Sequence, residues 1–234
     1  MALTELILVR HGESTGNVAR EQAMAARAEV IDIDRRDADV PLTDLGQQQA
    51  RTVGRWLAGR PAGRQPQVVW SSPYRRARQT AELALAETPL TLPVRLDERL
   101  RDRELGTLDR LTSFGIRQRF PAEADRRRWL GKLYYRPPGG ESWADVALRL
   151  RSFLRDLDRG DLPERALLVC HDAVILLIRY VCQAFDEDEL IRLNRTESIG
   201  NASVTTLYRA DPGGPWRPEL VNWVDRTGSA ESDR

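Results

Sequence analysis

The chain is short of several residue types at once. Its 234 residues include two cysteines, two histidines and a single lysine, Lys132, against 35 arginines. Two cysteines are too few for a disulfide framework. Cys170 and Cys182 lie in apolar sequence and read as buried thiols of a cytoplasmic protein. Charge of one sign is also lacking: 36 basic and 35 acidic residues leave a net +1. So even a balance argues against a protein that holds nucleic acid through a basic field. Long apolar runs are missing too. The longest, Ala173–Ile178, stops at Arg179, which rules out a membrane-spanning helix, and Leu6–Val9 is too short to be a secretory signal. The near-absence of lysine reads as coding bias, although arginine offers more forked donors to a phosphate.

What remains is 41% apolar and 30% charged, enough to bury a sizeable core. Leu6–Val9, Gln67–Trp70 and Ala166–Cys170 are continuous apolar runs of strand length, as expected for strands covered on both faces. Ser203–Tyr208 alternates and is rich in Val and Thr. Leu220–Val224 can pair with it through the turn Asp211-Pro212-Gly213-Gly214. Helices are expected from Thr43 to about Ala58, with Leu45, Val53, Trp56 and Leu57 inward, and from Pro73 to about Ala86. A third runs over Trp143–Leu157, capped by Ser142, and an apolar one over Ala173–Ala184. This alternation predicts an α/β fold: a three-layer, doubly wound, mostly parallel sheet with helices on both faces. Residues 18–40 show no firm period and read as a long loop or lid. Residues 88–141 read as a helical and loop insertion capping the carboxyl ends of the strands. A single domain over residues 1–226 is expected, with 227–234 as a disordered polar tail.

Both histidines directly follow apolar strands, in Val9-Arg10-His11 and in Val169-Cys170-His171. Ligands of open α/β sheets bind beyond the carboxyl ends of the strands. With only two histidines in the chain, the coincidence favours one shared site. His11 sits in Arg10-His11-Gly12-Glu13-Ser14-Thr15-Gly16-Asn17, where Gly12 and Gly16 let backbone approach a ligand. Arg10 contributes a fork of donors there and Asn17 an amide. At the third junction, Ser71–Ala81, arginines crowd the first turn of a helix whose dipole prefers acids, a local rule broken where function is expected.

These strings, together with Pro41–Ala50, resemble the histidine phosphatase superfamily, the phosphoglycerate mutase-like proteins, in that family's order over nearly the whole chain. The resemblance implies that His11 is the nucleophile and forms a phosphohistidine. It implies that Arg10, Arg76 and Asn17 bind the phosphate and that His171 donates to the phosphoryl oxygens. Arg76 rather than Arg75 matches, because it directly precedes Ala77. Two guanidinium forks and an imidazole would stabilise the transferring group with no metal and no cofactor. The family's proton donor is a Glu four residues before a Gly. In Leu100-Arg101-Asp102-Arg103-Glu104-Leu105-Gly106 that position is Asp102, one methylene shorter, with Glu104 as the second candidate.

The segment Tyr134–Ser142 also resembles the bisphosphatase domain of fructose-2,6-bisphosphate enzymes. It aligns Arg128, Lys132 and Arg136 with positions that hold sugar phosphate. The activity expected is hydrolysis of a small phosphorylated metabolite, with no nucleic acid or membrane partner and a homodimer left open. Two alternatives stand beside it: a phosphoglycerate mutase, and an idle phosphate-binding regulator, for which the Asp at position 102 is the best support.

Overall fold

The structure, a computed structural model, describes residues 3–159 and 163–225. Six strands, β1 (Glu5–Arg10), β2 (Val68–Ser71), β3 (Val94–Leu96), β4 (Arg165–Cys170), β5 (Val204–Tyr208) and β6 (Arg217–Trp223), form one sheet in the order β3-β2-β4-β1-β5-β6. The first four pair in parallel, and β5 and β6 run antiparallel at one edge. The turn between β5 and β6 closes through Gly214 N to Asp211 O at 3.0 Å, with Gly213 at a positive φ of 78°.

Alternation along the central strands divides the interior in two. Leu6 and Leu8 of β1, with Ala166, Leu168 and Cys170 of β4, face a core completed by α6 (Trp143–Leu157) and α7 (Asp172–Gln183). Ile7, Val9, Leu167 and Val169 face a second core, under α2 (Asp44–Ala58) and α3 (Arg75–Ala86). Side chains buried on both faces explain why the strand runs are apolar without interruption. The arrangement is the expected three-layer α/β sandwich.

The topology also creates a crevice. After β1 the chain turns toward the α2–α3 layer, and after its neighbour β4 it turns to α7 on the other face. Adjacent parallel strands whose connections diverge leave room at their carboxyl ends.

Several expectations need correction. Residues 18–40 are not all loop, because α1 (Thr15–Ala25) occupies the first part. Its Ser14 and Asn17 form a reciprocal capping box, but only Ala23 is buried, so no apolar stripe announced a helix. The insertion begins later than residue 88, since Val94–Leu96 is the edge strand β3, paired with β2. Beyond it come single 3-10 turns, α4 (Ser113–Arg119) and α5 (Pro121–Tyr134). The acid-capped helix α8 (Glu187–Thr196) was not anticipated. Leu45 is 50% exposed, because the first turn of α2 packs through Gly46 instead. Cys170 is buried and Cys182 half-buried, both as free thiols. The expected disordered tail 227–234 lies outside the described residues.

Candidate active site

In the parallel register Arg10 stands opposite Cys170, so the next residue of each strand falls at the same level. His11 N donates to Cys170 O at 3.0 Å, and the ring centroids of His11 and His171 lie 5.2 Å apart at an interplanar angle of 65°. Both imidazoles are buried. His11 Nδ1 is 2.7 Å from Gly12 O, an acceptor only, so the proton sits on Nδ1. Nε2 then carries the lone pair, and it accepts from Arg76 Nε at 3.2 Å.

Burial holds the His11 pKa well below its ordinary value, and His171, Arg76 and Arg10 depress it further. His171 is likewise held neutral, by burial first and then by Arg76, Arg10 and Arg149. Its Nε2 is 2.9 Å from Ser72 Oγ. Its Nδ1 lies 3.3 Å from Asp102 Oδ2 but makes no aligned hydrogen bond. Arg10 Nε is similarly buried without a partner among the described residues, while its NH1 donates to Ile199 O at 2.6 Å. The crevice therefore presents an unprotonated imidazole nitrogen beside a buried, unpartnered guanidinium N–H of Arg10, a set that suits an oxyanion.

Arg76 projects from the first turn of α3 and is only 4% exposed. Burial opposes its charge, but Asp102 and Asp37 outweigh that and raise its pKa. Asp102 Oδ2 accepts from Arg76 NH2 at 3.1 Å, while its Oδ1 accepts from Arg103 N at 2.8 Å. Arg149 of α6 fixes this loop, donating to Asp102 O at 3.1 Å and pairing with Glu141 at 2.9 Å. Glu104 is exposed, although its carboxylate is still felt by the Tyr74 phenol.

The glycine of the first motif acts differently from the expectation. A Cβ on Gly12 would strike the carbonyl oxygen of Gly46, and one on Gly46 would strike Glu13 O. Gly12 thus admits the start of α2 rather than the ligand. Thr80 Oγ1 of α3 accepts from Gly12 N at 3.1 Å, which completes the loop's fixation. Asn17 spends its Oδ1 on Ser14 N, Ser14 Oγ and Asn201 Nδ2, so this oxygen braces the loop.

Of the cap residues, Arg128 is 76% exposed and paired with Asp125, and Arg136 is on the surface, paired with Asp145. Lys132 does turn inward. Gly131, at φ 74° and ψ 168°, breaks α5 and swings Lys132 over the Trp143 ring at 4.3 Å and onto Asn194 Oδ1 at 2.7 Å.

Sequence reasoning missed four contributors. Ser72 and Tyr74 lie within the motif at the third junction. The Tyr74 ring packs on His171 at 5.2 Å and under the Arg76 guanidinium at 5.0 Å. Burial, then the carboxylates of Asp37, Glu104 and Asp102, push the Tyr74 phenol up to about 12. Asp37 and Arg149 carry no local signal, because only the tertiary fold brings them to Arg76 and to the Asp102 loop.

Comparison with known proteins agrees with this arrangement. Residues 6–224 match the family model of the histidine phosphatase superfamily, branch 1. The chain belongs to the histidine phosphatase superfamily. As a histidine phosphatase it is an enzyme of the phosphatase type, and it is phosphoglycerate mutase-like.

It is 30% identical over 235 residues to glucosyl-3-phosphoglycerate phosphatase of Mycobacterium tuberculosis, covering 95% of this chain and 93% of that one. It is 33% identical over 169 residues to a 2,3-bisphosphoglycerate-dependent phosphoglycerate mutase of Methylorubrum populi, covering 71% of this chain and 73% of the other. Among solved structures, a mycobacterial glucosyl-3-phosphoglycerate phosphatase in complex with VO3 superposes with a TM-score of 0.73 at 29% identity, over 94% and 98% of the two chains. Among the described residues, no helix of this histidine phosphatase is long and apolar enough to cross a membrane.

Proposed function

We propose that this histidine phosphatase hydrolyses a small cytoplasmic phosphomonoester carrying a second acidic group. The observation that carries the reading is the state of His11: neutral, Nδ1 tied to Gly12 O, and Nε2 facing a crevice rimmed by Arg76 and His171. In the first step Nε2 attacks phosphorus, the ester P–O bond breaks, and a proton on Asp102 passes to the leaving oxygen. In the second, the Asp102 carboxylate takes a proton from water, the resulting hydroxide attacks phosphorus, and the P–N bond breaks to restore His11. Arg10, Arg76 and His171 meet the charge on the equatorial oxygens.

The second acidic group is inferred from the cap. Lys132 is held at about 8, first by burial and then by Arg127, with Asp172 opposing and Arg103 and Arg20 adding to the depression. Arg103 is depressed by burial and then by Arg127, and its side chain donates to the carbonyls of Glu141 and Tyr135, at 2.7 and 3.2 Å. Four cations from α1, the Asp102 loop and α5 thus lie within electrostatic reach of one another. Such a cluster favours an anionic substrate group. Lys132 keeps its expected substrate role in this reading, whereas Arg128 and Arg136 do not.

The closest test is a screen of phosphorylated metabolites, including phosphoglycerates with 2,3-bisphosphoglycerate and fructose bisphosphates, read by phosphate release and by isomer formation. Release from substrates with two acidic groups, at kcat/KM well above that for their singly charged counterparts, is expected. Isomer formation without net release would mark a mutase. Turnover of none, with phosphate still bound, would mark a regulator.

A further inference from the structure

A guanidinium has five N–H donors, and in Arg76 all five are engaged. Nε donates to His11 Nε2 at 3.2 Å. NH1 donates to Asp37 O at 2.7 Å and to Asp37 Oδ1 at 2.9 Å. NH2 donates to Asp37 Oδ2 and to Asp102 Oδ2, both at 3.1 Å. Three of the five therefore belong to one residue, held in the forked geometry that arginine also offers a phosphate. A phosphoryl dianion cannot use Arg76 until some of these bonds open.

The five bonds are not equally movable. His11 is buried beside its Gly12 anchor, and Asp102 is braced by the Arg103 amide. Asp37 is 45% exposed and sits in a short 3-10 turn, Asp37–Asp39, on a polar stretch of residues 32–39. The stretch is moored at both ends. Ile31 N donates to Arg110 O at 2.7 Å, and Val40 is fully buried. Between these moorings, residues 32–39 form no hydrogen bond or ion pair to the body of the molecule except those to Arg76, among the described residues. The pairs Asp34–Arg35 and Arg36–Asp39 stay within the strap itself.

We infer that Asp37 is a built-in competitor for the phosphate subsite: a strap carboxylate that occupies Arg76 in the free enzyme, yields to the substrate's phosphoryl group, and returns to help expel inorganic phosphate. This rests on the phosphatase reading of Arg76. A ligand that must displace an internal occupant binds with an apparent affinity reduced by the fraction of molecules in which that occupant is away. Removing the occupant should therefore tighten every oxyanion by a common factor.

Equilibrium binding of inorganic phosphate and of orthovanadate to the full chain tests this, comparing wild type, Asp37→Asn, Asp37→Ala and Asp39→Asn. Asp39 provides the control: it is on the same turn and has the same charge, but it pairs with Arg36 and not with Arg76. Both Asp37 variants should bind both anions on the order of 10-fold more tightly, with phosphate a correspondingly stronger product inhibitor, while Asp39→Asn stays near wild type. Unchanged or weaker binding in the Asp37 variants overturns the proposal. So does an equal gain in Asp39→Asn, because the effect would then be the general removal of a negative charge from the rim. If wild type and all the variants bind neither anion, the phosphate-site reading itself fails, an outcome distinct from failure of the strap alone.

Discussion

Replacement of Asp102 by Asn separates the chemistry from the binding. Its Oδ2 is 3.1 Å from Arg76 NH2 and 3.3 Å from His171 Nδ1, beside the imidazole pair whose centroids are 5.2 Å apart. Glu104 is exposed, and its carboxylate is felt by the Tyr74 phenol but makes no hydrogen bond or ion pair to either histidine or to Arg76 among the described residues. A positioned general acid contributes about 10²–10⁴-fold, equal to about 3–5 kcal/mol of barrier. Asp102→Asn should therefore lose kcat by that factor on sugar or glycerate phosphates, whose alkoxide leaving groups need a proton. On para-nitrophenyl phosphate, whose phenolate leaves unprotonated, the loss should be about 10-fold or less. Because the change also frees one donor of Arg76, KM should not rise. Steady-state kinetics with the two substrate classes, beside Glu104→Gln as the control, checks this. Loss of turnover in Glu104→Gln with retention in Asp102→Asn, or equal loss on both leaving groups, would refute the assignment.

Four further outcomes follow from the same geometry. Arg76→Lys, which keeps charge but not the fork, should lower kcat/KM on the order of 10–100-fold, with the fold intact by circular dichroism. Gly46→Ala would drive a Cβ into Glu13 O and should cost about 1–3 kcal/mol or more in denaturant unfolding. Both imidazoles have folded pKa values below the unfolded 6.5, so the unfolded state takes up protons first as pH falls. Unfolding free energy should thus be fully present above that pH and drop below it, by as much as about 2.7 kcal/mol per pH unit for two groups; a flat profile between pH 6.5 and 5.5 would contradict buried neutral rings. Lys132 should lose its proton near pH 8, so KM for a substrate with two acidic groups should climb above that pH, and Lys132→Ala should abolish the climb.

How much of this was legible in the sequence depends on the range of the interactions. The central strands were readable because burial on both faces leaves uninterrupted apolar runs, and α6 because Trp143, Val146, Ala147, Leu150 and Phe153 follow helical spacing into one core. The meeting of His11 and His171 follows from a parallel register that places the ends of β1 and β4 together. Helix α1 was hidden because its stability comes from the Ser14–Asn17 cap and not from an apolar stripe. β3 was hidden because three half-exposed edge residues carry no period. Asp37 was illegible in principle. Its partner is 39 positions away, and neither its neighbours nor its own type marks it. Arg128 and Arg136 were aligned through the resemblance to the bisphosphatase domain, but in the fold both side chains are exposed and pair with Asp125 and Asp145.

The central claim is that His11 itself carries the phosphoryl group. Rapid mixing with para-nitrophenyl phosphate, a quench that preserves phosphoramidates, and peptide mapping by mass spectrometry test it directly. One acid-labile phosphoryl group on His11, absent in His11→Ala together with turnover, is the predicted result. Phosphate found on His171, or full turnover surviving in His11→Ala, would contradict it.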